Sequence, residues 1–576
     1  MYKRQSLGGA IYANSGVDII NSNFENNKNN TISNDIYITE SGIINYTTGD
    51  AGNIISSGLA GKGIFAKAGD AALNLSGINK DFEGLLQIND GAVNYTQSNG
   101  GSYIGGITQI SSNGVLNFEN SDVDNIKSLA STDTGATFNK TGAGNLIMTG
   151  KNSQFSGSAN VKEGTLTVDI NSAGDTFFGE NSKTEISGGA ALDFDISEGN
   201  SFTVNNNGNL ISGAGVVEKL GNGTLILKGD NSGLNTDNIV QAGVNNDNIK
   251  VGTIIKEGVL NYIAESSAVN NMISGGIDIQ SGTEFKVTNN SGADFNLFKG
   301  GDSGGVYNDG LIGNGIFSTE GDIVLSGNNS NFTGRTNIED GILSYTKSAD
   351  NSFMQGVVNI AENGTLEYST ANASEEVITN LVGSGIFVKE LSGTVNIQNT
   401  NSADEYFTGI MNVNGGTLNV KAADQLNTGK FNFGAVVNND ANLIYTAGLG
   451  DNYIIDSSSS IKFANTAGNA GINFVNGTYD LISDVNGAAG NNIGFDSAKI
   501  NINGTNYAGN YSVNNSNLNL ADGSISSVVF NQLSTTGTNN LDIDFSFNGA
   551  GSIDMLTSNV DLSLIHISEP TRLRRI

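Results

Sequence analysis

The feature that most constrains this chain is an internal repeat built around a phenylalanine. Four segments share the pattern Phe-x-Gly, followed by an apolar residue, a turn glycine and two alternating apolar residues at identical offsets from the phenylalanine. The Phe and turn Gly of the four copies are Phe82 and Gly91, Phe155 and Gly164, Phe332 and Gly341, and Phe407 and Gly416. A degenerate copy over 224–262 lacks the Phe. Such periodicity is typical of proteins in which each unit buries its apolar side only against its neighbours.

The repeat units are strand-like. Apolar residues alternate with polar ones, as at Leu73 and Leu75, and the turns contain Asn-Gly, Asp-Gly or Glu-Gly, where glycine accepts a positive φ. A second pattern precedes several copies: GKGIFAK at Gly61, GAGVVEK at Gly213, GNGIFST at Gly313 and GSGIFVK at Gly383. No window keeps a 3.6-residue period, so no long helix is expected. Short strands of this kind bury their apolar sides by stacking, each strand pairing with its equivalent in the next coil.

Composition agrees with stacked parallel strands and excludes several functions. The chain has one Pro, which fits because Pro cannot donate to strand ladders. It has no Cys, so disulfides and thiolate metal sites are excluded. A net charge of −30 argues against a nucleic-acid partner. No apolar run approaches the roughly 18 residues of a membrane helix. We therefore predict an all-β protein, a parallel β-helix (β-solenoid) forming a single elongated domain.

The two ends differ from the rest of the chain. The C-terminal stretch holds the only histidine, His566, and the only proline, Pro570, and it ends in a basic tail. Residues 562–576 resemble the in-frame translation of a transposase adapter used in sequencing libraries, and residues 1–5 resemble that of its reverse complement, so we interpret both as adapter sequence. Within the remainder, we expect the repeat-bearing β-helix to occupy 6–430 and to continue through 431–561.

The repeats resemble a known family. The Phe-x-Gly…Gly-x-Leu-x-Val units are similar to the autotransporter-associated β-strand repeat, and 8–27, with GGAI and FxxN, resembles repeats of polymorphic outer-membrane proteins. Residues 540–558 look like the end region of autotransporter passengers. The resemblance implies a right-handed coil, secretion or display at the bacterial cell surface, and frequent adhesive roles toward host or bacterial glycans or proteins. It also implies an outer-membrane β-barrel translocator in a C-terminal part of the full protein.

Candidate catalytic motifs are weak. The sequence GDSGG places Ser303 in the context of a serine-protease nucleophile, but that chemistry needs a histidine base, and the one histidine lies in the presumed adapter. The carboxylate pairs Asp193/Asp195 and Asp542/Asp544 are expected on a solvated outer face, since each pair alternates with apolar residues. The phosphate-loop-like stretch 144–152 is expected to be a strand and turn of the repeat.

The alternative is a carbohydrate-active β-helix enzyme of the pectin-lyase kind. It would need a cluster of Asp with Lys or Arg on one lateral face across adjacent coils, which the spacing does not reveal, and Arg335 is the one arginine outside the presumed adapters. We therefore expect no catalytic, cofactor-binding or metal-binding residues and no enzymatic activity. The repeat residues Phe82, Phe155, Phe332, Phe407, Gly91, Gly164, Gly341 and Gly416 are expected to form a structural core. The predicted function is a structural and adhesive passenger rod.

Overall fold

The structure is a computed structural model of the full chain. The residues that it describes are 10–25, 27, 34–50, 52–97, 102–131, 133–171, 176–179, 181–206, 211–229, 233–234, 239–241, 248–265, 275–298, 309–348, 352–371, 375–398, 405–421, 430–431, 433–447, 452–455, 461–464, 469–481, 485–486, 491–502, 506–520, 527–537, 540–543 and 565–566.

The chain divides into two compact units, residues 1–316 and 317–576, and both consist of short β-strands. The strands of the first unit are β1 Ile11–Ala13, β2 Gly16–Ile20, β3 Ile36–Ile38, β4 Ile43–Thr47, β5 Asn53–Ile55, β6 Leu59–Gly61, β7 Ile64–Ala68, β8 Leu73–Leu75, β9 Leu85–Thr96, β10 Ile107–Glu119, β11 Asp124–Ile126, β12 Ser128–Ala130, β13 Thr137–Thr141, β14 Asn145–Met148, β15 Ser158–Val161, β16 Thr165–Ile170, β17 Lys183–Ile186, β18 Ala191–Ile196, β19 Ser201–Asn206, β20 Ile211–Gly213, β21 Val216–Leu220, β22 Thr224–Gly229, β23 Ile239–Gln241, β24 Asn248–Ile255, β25 Val259–Ala264, β26 Gly276–Ile279, β27 Glu284–Asn289, β28 Phe295–Asn296 and β29 Leu311–Gly313.

The second unit continues the series with β30, which begins at the boundary residue. Its strands are β30 Ile316–Glu320, β31 Ile323–Leu325, β32 Arg335–Thr346, β33 Val357–Ser369, β34 Glu376–Thr379, β35 Leu381–Gly383, β36 Ile386–Glu390, β37 Thr394–Gln398, β38 Ile410–Val413, β39 Gly416–Lys421, β40 Lys430–Phe431, β41 Gly434–Val437, β42 Ala441–Thr446, β43 Asn452–Ile455, β44 Ile461–Phe463, β45 Gly471–Val475, β46 Thr478–Leu481, β47 Val485–Asn486, β48 Asn492–Asp496, β49 Lys499–Ile502, β50 Asn506–Asn514, β51 Asn517–Leu520, β52 Ser527–Thr536, β53 Asn540–Ile543 and β54 Ile565–His566.

Both units are parallel β-solenoids, which confirms the predicted fold class. Each strand pairs in parallel with the equivalent strand one repeat away, as β16 does with β14 on one side and β18 on the other. The short strand β23 is an exception, because it pairs antiparallel with β24. Among the described residues there is no helix, and consequently none long and apolar enough to cross a membrane.

The core is a set of apolar columns that run from coil to coil inside each unit. Alternate residues of each strand point inward, so that Leu146, Leu166 and Leu192 stack in register and are fully buried. Aromatic rings form similar columns in the second unit, where Tyr445 and Phe474 stack with ring centroids 5.3 Å apart. Because each coil contributes only a few inward side chains, it depends on the coils above and below to complete its core.

The segment 562–576 is described only at Ile565–His566. These residues pair in parallel with Leu541 and Asp542 of β53. Almost any two residues can form such a backbone pairing, so it does not test whether this segment is adapter sequence. That interpretation stays a prediction. The expected boundary between 6–430 and 431–561 also stays a prediction.

Candidate functional site

The repeat phenylalanines and glycines lie where coils meet. Phe82, Phe155 and Phe332 are fully buried, and Phe407 is 3% exposed. The turn glycines have φ angles of +62° at Gly91, +66° at Gly164, +73° at Gly341 and +62° at Gly416, a left-handed conformation that side chains disfavour. A side chain at Gly164 would also collide with the carbonyls of Gly142 and Gly144 in the neighbouring coil. These residues therefore shape the turns and fill the core.

A buried asparagine three residues before the phenylalanine supports the same turn, and the sequence analysis did not assign it a role. Asn79, Asn152 and Asn329 are fully buried in three copies. The side chain of Asn152 accepts a hydrogen bond from the Leu129 N–H (2.8 Å) and donates to three carbonyls, including that of Thr176 (2.9 Å). The sequence does carry a signal for this role, because in these three copies the asparagine stands three residues before the repeat phenylalanine. In the fourth copy this position is Asp404, outside the described residues.

Buried lysines form a second support that the sequence analysis missed. Lys67, Lys140, Lys219 and Lys389 are fully buried, and three of them end the GxGxxxK pattern. The Lys140 ammonium donates to the carbonyls of Thr141, Gly142 and Glu163 at 3.1, 2.7 and 2.9 Å, and the Lys389 ammonium binds three equivalent carbonyls. Each ammonium thus joins its own turn to the turn of the next coil.

The environment of these lysines affects their protonation. Burial lowers the pKa of Lys140, Lys219 and Lys389 to about 8, and nearby carboxylates such as Glu163 oppose this shift. In the GNGIFST copy Thr319 replaces the lysine, and its buried hydroxyl has no hydrogen-bond partner. There the Gly321 N–H donates to the Asp340 carbonyl (3.1 Å), which is the carbonyl that an ammonium would otherwise bind.

The outer face of the first unit carries an asparagine ladder. Asn74, Asn94, Asn117, Asn139 and Asn160 occupy one column on successive coils. Each side-chain amide donates to the carbonyl oxygen of the preceding one, at 3.0, 2.8, 2.7 and 2.8 Å in turn. The result is a regular polar column with one amide per coil, about 4.8 Å apart, in which Asn74 is exposed, Asn94, Asn117 and Asn160 are half-buried and Asn139 is buried.

A lateral groove of about 950 Å³ lies beside this region of the first unit. Lys80 and Glu83 line it on one coil, residues 102–107 on the next, and residues within 123–128 on the third. Below the surface, Tyr95, Tyr103 and Phe118 pack together with centroids 4.6 to 5.0 Å apart. This groove, defined by Lys80, Glu83, 102–107, 123–125, 127–128 and Thr149, is a concave site that could hold a ligand.

A buried carboxylate lies at the wall of the groove. Asp124 is 5% exposed, and it accepts hydrogen bonds from the Tyr95 hydroxyl (2.9 Å) and the Asn125 N–H (2.7 Å). Burial raises the pKa of Asp124, and these hydrogen bonds oppose the shift. Because its oxygens are already engaged, Asp124 holds the aromatic floor in place rather than offering a free charge.

The expectation that Asp193 lies on a solvated face is wrong. Asp193 does alternate with inward apolar residues, but it is only 6% exposed because side chains on the adjacent coils cover it. Its neighbours in register are Thr167 and Glu218, and Lys256 binds Glu218 at 2.5 Å. Burial, followed by the nearby Glu218 carboxylate, raises the pKa of Asp193 well above its ordinary range. Asp195 is half-buried.

Residues 144–152 form β14 and the following turn, as predicted. Ser303 and the GDSGG stretch lie outside the described residues, as does Asp544. Within the described ranges, no group of three or more His, Asp or Glu side chains is arranged to hold a metal ion.

Comparison with known families identifies the repeats. Residues 138–168, 217–261 and 320–344 match the model of the passenger-associated-transport-repeat. They include the copies with Phe155 and Phe332 and the degenerate copy without a phenylalanine, whereas the copies with Phe82 and Phe407 lie outside the matched ranges. No curated protein matches the chain.

The matched repeats and the parallel β-solenoid point to the same class of protein. Together they support an autotransporter passenger domain with passenger-associated-transport-repeats.

Proposed function

We propose that this chain is a structural and adhesive rod, displayed at the bacterial cell surface or secreted, that presents a repetitive shallow surface to host or bacterial surface molecules. The passenger-associated repeats support export to the cell surface together with an outer-membrane translocator domain. The net charge of −30 agrees with an exported surface protein that stays soluble through self-repulsion.

The asparagine ladder is the observation that carries the adhesive part of the proposal. Each amide from Asn74 to Asn160 is bonded to the next, so the side chains are held in one orientation along several coils. A fixed row of hydrogen-bonding groups loses little conformational entropy when a ligand binds. Many weak contacts of this kind give useful avidity without any single essential residue.

The chain is proposed to have no enzymatic activity. The feature that would favour a carbohydrate-active enzyme, acidic and basic side chains on one face of adjacent coils, does occur at Asp193, Glu218 and Lys256. However, Asp193 is buried beneath its neighbours, and Lys256 is already paired with Glu218. A general acid must come within hydrogen-bond distance of its substrate, and this burial opposes such an approach.

The proposal is tested with fluorescent beads that carry the purified chain. Beads with the folded chain should attach to epithelial cells or to bacterial cells well above beads that carry the same chain after thermal unfolding. A panel of neutral and acidic polysaccharides incubated with the chain should show no new reducing ends and no unsaturated products. Equal attachment of folded and unfolded chains would overturn the adhesive role. Polysaccharide cleavage that is lost in Asp193→Asn would establish the enzyme instead.

A further inference from the structure

The second unit contains a place equivalent to the groove, the closed counterpart, where internal hydrogen bonds engage the polar groups. The isolated bridges Ile78–Ser102 and Asn328–Ser352 occupy equivalent places in the repeats of Phe82 and Phe332. The registers of β10 with β12 and of β33 with β35 extend this equivalence to the following coil. Each groove residue of the first unit can therefore be compared with a residue at the same place in the second unit.

In the second unit the equivalent place is saturated with internal hydrogen bonds. Gln355 donates from its N–H to the Phe332 carbonyl (3.0 Å) and accepts from the Thr379 hydroxyl at its own carbonyl (2.6 Å). The Ser330 N–H donates to the Ser352 hydroxyl (2.9 Å), and the Ser330 hydroxyl donates to Asn328 (2.8 Å). This version offers a ligand few uncommitted polar groups.

In the first unit, Lys80 stands at the position that Ser330 has in the second unit. Gly105 stands in place of Gln355, and Lys127 stands in place of Thr379. Glycine leaves the floor without a side chain, and both lysines are exposed. In the described part of the chain neither lysine has a carboxylate within ion-pair distance. The carboxylates of the groove are already engaged, Glu83 with Lys62 (3.3 Å) and Asp124 with Tyr95. The uncommitted charge in the groove is therefore positive, although the chain as a whole is strongly acidic.

The groove also has apolar and hydroxyl groups between the lysines. Ile107 is 48% exposed and Val123 is 61% exposed, so both offer apolar surface to a ligand. Ser102 and Ser128 provide hydroxyls beside them. Lys80 and Lys127 lie two coils apart, a separation of about 10 Å along the stack. A ligand that fits must combine acidic groups, hydroxyls and flat apolar faces.

We propose that this groove binds an acidic polysaccharide. Lys80 and Lys127 pair with carboxylate or sulfate groups on two sugars of one chain that lie about 10 Å apart, while Ile107 and Val123 contact the apolar faces of the rings. An acidic peptide is disfavoured because β10 is already paired on both sides, with β9 and with β12 and β13, and offers no free edge for strand addition. The proposal deepens the adhesive function above and rests on it for its biological role.

The experiment exchanges the lysines for the residues of the closed counterpart. The variant Lys80→Ser/Lys127→Thr introduces residues that the chain already accommodates at equivalent places, so the fold should be retained. Lys162→Ser/Lys183→Thr removes the same charge from exposed positions outside the groove and is the control. Binding of the full chain is measured on immobilised polygalacturonate, dextran sulfate, neutral dextran and poly-glutamate. Circular dichroism and the melting temperature are recorded for each variant.

We expect the full chain to bind polygalacturonate or dextran sulfate, and the groove variant to bind about tenfold more weakly, as two lost ion pairs predict. The two acidic polymers distinguish a carboxylate ligand from a sulfate ligand. The control variant should bind like the wild type, and neutral dextran should not bind.

Other results overturn the proposal. These are unchanged binding in the groove variant, an equal loss in the control variant, equal binding of neutral dextran, and binding of poly-glutamate alone. If the groove variant binds the acidic polymers like the wild type and its beads still adhere to cells, the adhesive function stands and the groove proposal falls. If the acidic polysaccharide binds through the lysines but beads do not adhere, the groove proposal stands without the adhesive function.

Discussion

The buried lysines are the residues on which a single substitution should have the clearest effect. Lys140→Met keeps the apolar stem but leaves the carbonyls of Thr141, Gly142 and Glu163 without their donor. Buried acceptors that lose a charged partner cost about 2 kcal/mol or more, so the variant should be less stable by that amount in urea unfolding. The exposed Lys162→Met is the control and should change stability by less than about 0.5 kcal/mol. Equal effects of the two substitutions would contradict a supporting role for the buried ammonium.

Asp193 should make the stability of the first unit depend on pH. Burial raises its folded pKa above the ordinary value of 3.8, so the folded chain keeps a proton that the unfolded chain has released. Its contribution to the free energy of unfolding is complete below about pH 4 and is lost as the pH rises through the folded pKa. In Asp193→Asn, thermal unfolding followed between pH 4 and 8 should show a smaller fall in stability. An unchanged slope in Asp193→Asn would contradict the assignment.

At the scale of the element, the turn of three repeat copies is held by a buried asparagine and a buried phenylalanine, as by Asn152 and Phe155. Asn152→Ala removes the side-chain partner of the Leu129 N–H and of the Thr149 and Thr176 carbonyls, whereas the Gly150 carbonyl still accepts from the Thr176 N–H. The expected cost is about 2–3 kcal/mol, because buried backbone groups lose their hydrogen bonds. Hydrogen exchange should accelerate first in β12, β14 and β15, which flank this turn, whereas distant strands of the same unit stay protected. Uniform acceleration over the unit would show that the turn does not act locally.

Much of each element could be predicted from the sequence because strands and turns have local signals. The inward position of Phe155 and the left-handed turn at Gly164 follow from alternation and from the conformational freedom of glycine. The burial of Asp193 could not be predicted, because side chains on the coils above and below cover it, and which residues those are depends on register. The groove could not be predicted for the same reason, because Lys80 and Lys127 line one groove only after three coils have stacked in register.

At the scale of the whole molecule, the solenoid should unfold by units. Each coil is stabilised chiefly by its two neighbours, so a defect should affect the adjoining coils first. The chain divides into two compact units at residues 316 and 317, and we expect each unit to unfold as one cooperative region. Phe155→Asp places an unpaired charge in the core of the first unit, at a cost of several kcal/mol, about enough to unfold it.

Hydrogen exchange with mass spectrometry tests this directly. In Phe155→Asp, peptides from 1–316 should lose protection while those from 317–576 keep it, and Phe332→Asp should give the reverse pattern. The two phenylalanines occupy the same place in the repeat and are both fully buried, so each variant is the matched control for the other. Loss of protection over the whole chain in either variant would mean that the two units fold as one cooperative stack, with coupling across residue 316 as strong as that between coils within a unit.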